Sequence, residues 1–250
     1  VEHKLSLERI VMPIASLLLV FAIWQAAVIV FAFPPYILPR PLDILYNMVT
    51  RFHIFWNAAL VTFWQVIAGF VAGSIAGVAL ALVMSLAPRL ERTAMPVVVL
   101  INCVPPMAFI PLALIWFGLG PNSKIAMAAL AVVFPVLYNC LAGLKRVDEG
   151  SVNLLRSFGA NPLTVLWKLR LPAALPLLVT GLRIGMTRST IAVIVTEMVG
   201  AYSGLGQIIY RSTALLEYLD VWSAVFAASI GSLVLYALLT ALDSRLVWWK

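Results

Sequence analysis

Few residues of this 250-residue chain could do chemistry, and their spacing excludes most of it. The two histidines, His3 and His53, lie far apart and have no companion ligands. Cys103 and Cys140 each sit inside an apolar run and form no CxxC pair. Neither a metal set nor a disulfide framework can be built from them, so no metal site is expected. A membrane-embedded enzyme would need a nucleophile–base pair or a metal set, and neither is present. The stretch nearest to a phosphate loop, Gly118-Leu119-Gly120-Pro121-Asn122-Ser123-Lys124, lacks the glycine that must precede the lysine. No phosphate-loop nucleotide site is therefore expected on this chain.

What remains is charge in apolar surroundings. Arg183 and Arg188 stand within one hydrophobic run, and Glu197 ends it. Arg183 is close enough to one end for its long side chain to snorkel part of the way out. Arg188 is deeper, near or past the middle, where such residues usually face protein or a water-filled cavity. Two readings stay open for it: a wall of a solute path that favours anions, or a salt bridge or carbonyl contact to another span. Glu197 is nine residues on, on the opposite helix face, and reads as interfacial.

The elements that must position these residues follow from composition. Hydrophobic residues make up 63% of the chain and charged residues 11%, with a mean hydropathy of +1.04. A soluble domain carries about 25% charged residues, so this chain lacks the polar surface to cover itself in water. The expected fold class is an all-α membrane protein with about six transmembrane helices. The net charge of +7 is not organised as a basic patch with interleaved aromatics, so no nucleic-acid partner is expected.

Six apolar segments are long enough to cross a bilayer, about 10–33, 58–86, 94–117, 125–144, 173–199 and 221–242, within a single transmembrane domain spanning 1–250. The first follows Lys4 and Arg9 but is longer than a signal-peptide core, so it reads as a retained span. Gly69, Gly73 and Gly77 recur every fourth residue in the second, a pattern for close helix packing within the chain or against a second copy. Pro105, Pro106 and Pro111 predict a kinked or broken third span. A broken helix at membrane depth is tolerated where neighbouring protein or a water-filled cavity satisfies the freed carbonyls, so Pro105 and Pro106 are candidates for a pathway wall.

Orientation follows from the basic residues. With the connection 145–172 in the cytoplasm, the inner side holds Lys4, Arg9, Arg89, Arg92, Lys145, Arg146, Arg156, Lys168, Arg170, Arg245 and Lys250. The outer side holds only Arg40, Arg51, Lys124 and Arg211, a positive-inside bias that places both termini in the cytoplasm. The inner connection is organised: Asp148 can cap a short helix running to Phe158, Gly159 suits a left-handed C-cap, and Asn161-Pro162 can start a second short helix ending near Leu171-Pro172. It would expose Leu154, Leu155, Phe158, Leu163, Leu166 and Trp167, an apolar face that needs a partner protein, the lipid headgroups or its own bundle to bury it.

Gly159, nine residues, then Leu169-Arg170-Leu171-Pro172 reads G-x9-L-x-L-P. This resembles the coupling loop of importer permeases in the ATP-binding-cassette superfamily. The frame SFGANPLTVLWKLRLPAALPLLVTGLRIG is similar to the branch that imports sulfonates, taurine, nitrate and bicarbonate. Pro39-Arg40-Pro41, VPPMAFIPLALIWFGLG (104–120) and TEMVGAYSGLG (196–206) extend the resemblance over most of the chain. The family's Glu-Ala-Ala triplet would fall at Asn153-Leu154-Leu155, where none of its residues is kept.

The resemblance implies a type I importer-like fold in the bacterial inner membrane, with a coupling helix between the fourth and fifth spans. It implies ATPase contact through Leu154, Leu155, Arg156, Ser157, Phe158, Gly159 and Ala160. It implies four kinds of partner: a cytosolic ATPase dimer holding ATP and Mg, an extracytoplasmic solute-binding protein, a second permease copy as a homodimer, and the lipid bilayer. This chain itself would bind no cofactor. A small anion is the implied solute, with a neutral or cationic nutrient such as a vitamin precursor as the alternative. A stand-alone secondary transporter or channel is the rival function, but such proteins usually show intramembrane carboxylates or an inverted repeat.

Overall fold

Apolar stretches of this length can satisfy their backbone inside a bilayer only as helices or closed barrels, and every regular element among the described residues is helical. The computed structural model describes residues 2–246, leaving out the side chains of 2–10, 13, 14 and 242–246. Lys4, Arg9, Arg245 and Lys250, counted above for orientation, thus fall outside the described side chains. In chain order the elements are α1 (Glu2–Val30), α2 (Pro41–Thr50), α3 (Phe52–Leu86), α4 (Pro88–Cys103), a 3-10 turn (Pro106–Phe109) and α5 (Ile110–Phe117). Then come α6 (Pro121–Leu144), α7 (Glu149–Ser157), α8 (Pro162–Val165), a π-helical turn (Leu166–Arg170), α9 (Leu171–Val199), α10 (Leu205–Ala214) and α11 (Tyr218–Leu246).

Among the described residues, four helical stretches are long and apolar enough to cross a membrane: Phe52–Leu86, Pro121–Leu144, Pro162–Val199 and Tyr218–Ala241. The pair α4 and α5 makes a fifth if taken as one bent span. The first expected span overlaps α1, whose described apolar part, Ala15–Val30, is shorter than those spans.

The centre of the bundle is α6, flanked by α3 and α9. Its residues Val132, Val136, Leu137, Cys140 and Leu144 are completely buried. Small residues permit this packing. A Cβ on Gly69 would lie 2.3 Å from Ala128 Cβ, one on Gly73 2.5 Å from the Ala129 carbonyl, and one on Gly77 2.8 Å from the Val133 carbonyl. The glycine stripe therefore serves packing of α3 on α6 within the chain. On the other flank, a Cβ on Gly181 would meet Asn139 and Pro135 of α6 at 2.8 Å. Apolar side chains such as Leu60, Trp64, Ile75 and Val83 stay exposed on the outer faces, as lipid contact requires.

Three elements depart from the sequence expectation. The expected end of the inner helix at Leu171-Pro172 does not occur, because helix runs without interruption from Pro162 to Val199. A helix-interior proline clashes with the carbonyl four residues back, here Lys168, which lies inside the π turn Leu166–Arg170. That local widening lets the helix continue past Pro172. Two connections to which the sequence assigned no element hold short helices, α2 before the second expected span and α10 before the sixth. The helix α2 is tied to the start of α11, where the Asp220 carboxylate pairs with Arg51 and accepts from Asn47 Nδ2 at 2.8 Å.

Candidate functional site

Two places in the bundle carry the residues that the sequence singled out. The first is the turn that joins α7 to α8. The Asp148 carboxylate caps α7, accepting from the Ser151 N–H at 2.7 Å and from the Ser151 hydroxyl at 2.8 Å. The Ser151 backbone N–H foremost, then its hydroxyl, holds this carboxyl below the usual carboxylate range. Helix α7 ends in a Schellman arrangement: the Ala160 N–H donates to the Leu155 carbonyl at 3.1 Å and the Gly159 N–H to the Arg156 carbonyl at 2.9 Å. Gly159 has φ +82° with open space around it, so glycine is needed here for backbone conformation alone. Asn161 then caps the next helix, accepting from the Thr164 N–H at 2.7 Å, with Pro162 in its first turn.

Burial divides the side chains of this turn into anchors and a free face. Val152, Val165 and Leu166 are buried. Leu166 was expected among the exposed apolar residues, but the continuous helix turns it into the cluster with Leu137, Cys140 and Leu144. Phe158 is 81% exposed, and Leu154, Leu163 and Trp167 are more than half exposed. Arg156, Ser157 and Gly159 are also exposed, while Leu155 and Ala160 are partly buried. The result is a fixed turn that presents the Phe158 side chain, supported from within. An ion pair between Lys145, at the end of α6, and Glu91, in the first turn of α4, braces the same end of the bundle.

The second place is the break between α4 and α5. Val104 and Pro105 are extended, and the two helices meet at 82°. Beside the break is a cavity of about 150 Å³ lined by Pro106, Met107, Ile110, Met127, Ala131, Arg188, Ile191 and Ala192. The structure thus brings Arg188 and Pro106, far apart in sequence, to one cavity. Pro105 borders the break, exposed, without lining that cavity. Arg188 is exposed on a stripe of α9 that includes Ile184, Thr187 and Ile191. Neither ion pair of the described residues, Arg51–Asp220 or Lys145–Glu91, involves Arg188. Arg183 lies one and a half turns earlier and is partly buried, off the cavity.

Sequence reasoning missed a third polar group. Glu197, read as interfacial, is 1% exposed. It accepts from the Thr62 hydroxyl at 2.9 Å and from the Gly206 N–H, in the first turn of α10, at 2.9 Å. The Leu205 N–H donates to the same Thr62 oxygen at 2.8 Å. Lys124, counted as an outer-loop cation, is also buried, and its ammonium donates to the carbonyls of Leu119 and Gly200. Thr62 carried no signal in the sequence. Gly204 and Gly206 in the TEMVGAYSGLG segment did, since a Cβ on Gly204 would lie 2.3 Å from Glu197 Oε1.

Residues 69–248, most of the chain, match the binding-protein-dependent transport system inner membrane component family. The chain belongs to that family. It is 32% identical to a probable ABC transporter permease protein of Haemophilus influenzae, over 96% of this chain and 98% of that one. It is 29% identical to the taurine transport system permease protein of Escherichia coli, over 97% of this chain and 90% of that one. It is 28% identical to a formylaminopyrimidine transport permease protein of Halalkalibacterium halodurans, over 95% of each. A solved inward facing form of the MetNI methionine ABC transporter shares the fold, with a TM-score of 0.58 and 24% identity over 77% of this chain and 92% of that one.

The protein is accordingly the permease subunit of an ABC importer, a component of the inner membrane. It is a transport subunit and not an enzyme, as its relatives are. The broken α4–α5 segment and the turn at Gly159 belong to a helical fold with several apolar spans.

Proposed function

We propose that this permease pairs with a second copy of itself to form the path for a small anionic solute, with both termini in the cytoplasm. A solute-binding protein delivers the solute from outside. A cytosolic ATPase dimer, holding ATP and Mg, docks on the turn from Leu154 to Ala160 and drives alternating access. Phe158 is the main knob of that contact, and Leu154, Leu155 and Arg156 complete the helix face. The six segments of the sequence reading are the spans, with α4 and α5 as one bent crossing.

The observation that carries the anionic reading is Arg188. An arginine near the middle of a span costs roughly 2.5–3.5 kcal/mol on insertion scales, and such residues face protein or a water-filled cavity. Arg188 is exposed in the single chain and lines the cavity beside the helix break. A path shared with a second copy gives that guanidinium water and anions to face. Pro106 shares that cavity, and Arg183 and Pro105, which lie off it, belong to the path in a lesser role. Similarity to a taurine permease supports an anion, while similarity to a formylaminopyrimidine permease supports the alternative, a neutral or cationic nutrient.

The coupling half of the proposal is tested by ATP hydrolysis. The purified permease alone is expected to release no phosphate from ATP above the empty-vesicle background. Addition of the ATPase subunit should yield hydrolysis that rises when the solute-loaded binding protein is present. Turnover by the permease alone would contradict the assignment.

A further inference from the structure

We infer that Glu197 and Thr62 are positioning residues for coupling, tying the far end of the α8–α9 rod to the opposite surface of the membrane. The inference rests on the coupling and orientation proposed above. Helix runs from Pro162 to Val199, 38 residues, or about 57 Å at 1.5 Å per residue. One end begins at the Asn161 cap, directly after the exposed turn at Phe158 and Gly159. Glu197 lies in the last turn of the other end. A displacement of the turn at Gly159 therefore reaches Glu197 through continuous helix.

At Glu197 the rod is gripped rather than frayed. The carboxylate holds the first turn of α10 through the Gly206 N–H and holds α3 through the Thr62 hydroxyl. Thr62 itself accepts from Leu205, so α3, α9 and α10 meet in one buried knot. Lys124 of α6 binds the Gly200 carbonyl, where α9 ends, and the Leu119 carbonyl after α5. The connection 200–204 is thus fixed at both ends by buried side chains, while Tyr202 in its middle is 80% exposed. Buried polar groups of this kind are costly unless satisfied, and satisfied networks fix one arrangement. Motion of the rod must carry the 200–204 connection with it, which places that connection under the control of the ATPase side. The same knot lets events on the outer surface reach the ATPase, since coupling between two sites is reciprocal.

The test uses the whole complex in proteoliposomes, measuring how far solute-loaded binding protein stimulates ATP hydrolysis. Thr62→Val keeps the side-chain shape and removes the hydroxyl that Glu197 and Leu205 share. The assembled complex is expected to lose stimulation at least about fivefold, the low end of a coupling free energy between sites. Thr62→Ser should restore it, and Glu197→Gln should reproduce the Val phenotype. The unstimulated rate per assembled complex stays unchanged. Wild-type stimulation in both Thr62→Val and Glu197→Gln would overturn the inference. Loss of assembly in Thr62→Val, with normal stimulation of the complex that does form, would overturn it too, leaving the knot as a folding element. Phe158→Asp separates this from the proposal beneath it. If that variant couples normally, the docking reading fails whatever Thr62 does.

Discussion

Phe158→Asp is expected to abolish solute uptake and to release the ATPase subunit, with the permease itself still folded in the membrane. Phe158 is 81% exposed at the end of α7 and touches little of its own chain. Its removal therefore costs the bundle almost nothing. Burial of such a side chain in a partner groove is worth roughly 1.5–3 kcal/mol, equivalent to about a 12- to 140-fold change in affinity. A carboxylate placed in that groove adds a desolvation penalty of its own. Copurification of the tagged permease with its ATPase, followed by an uptake assay, checks both halves. A variant that copurifies and transports normally would show that ATPase docking does not depend on this residue.

The second large effect is expected at Arg188. Arg188→Gln keeps a polar side chain of similar reach but removes the charge, so the complex should assemble with ordinary yield. Uptake of an anionic solute should fall by about tenfold or more, with the loss of about 1.4 kcal/mol or more of favourable interaction at the barrier. Arg188→Lys should recover part of the rate, since it keeps the charge without the planar fork. Initial rates in proteoliposomes, with binding protein and ATPase supplied, measure this directly. Unchanged rate and selectivity in the Gln variant would make Arg188 structural and would favour the neutral or cationic nutrient.

Membrane class, the broken third span and the capped turn before the fifth span were all legible because each rests on local chemistry. Asp148, Gly159, Asn161 and Pro162 act within a few residues of themselves, and each does in the structure what its type predicts. The glycine stripe of α3 could be read as a packing face, but its partner α6 was fixed only by the fold. The continuity of helix through Pro172 was not legible, because a proline usually marks a boundary and the π turn that accommodates it has no sequence signature. Leu166 was misplaced for the same reason.

The polar knot was hidden by distance in sequence. Thr62 and Glu197 are 135 residues apart, and a lone threonine in an apolar run announces nothing. Lys124 follows a glycine-rich turn, so its charge read as a loop cation, although it bonds to the carbonyls of Leu119, between α5 and α6, and of Gly200, at the end of α9. Arg188 stood out as a mid-span charge by sequence alone. Its neighbour Pro106 was singled out independently for breaking a helix, and only the fold brought the two to one cavity.

The most direct test of the central claim is solute uptake into vesicles reconstituted from separately purified permease, ATPase and binding protein. The account predicts accumulation only when all three and MgATP are present, and none when any one of them is withheld. Uptake or exchange by the permease alone, driven by an ion or solute gradient without ATP, would contradict it and mark the chain as a self-sufficient transporter.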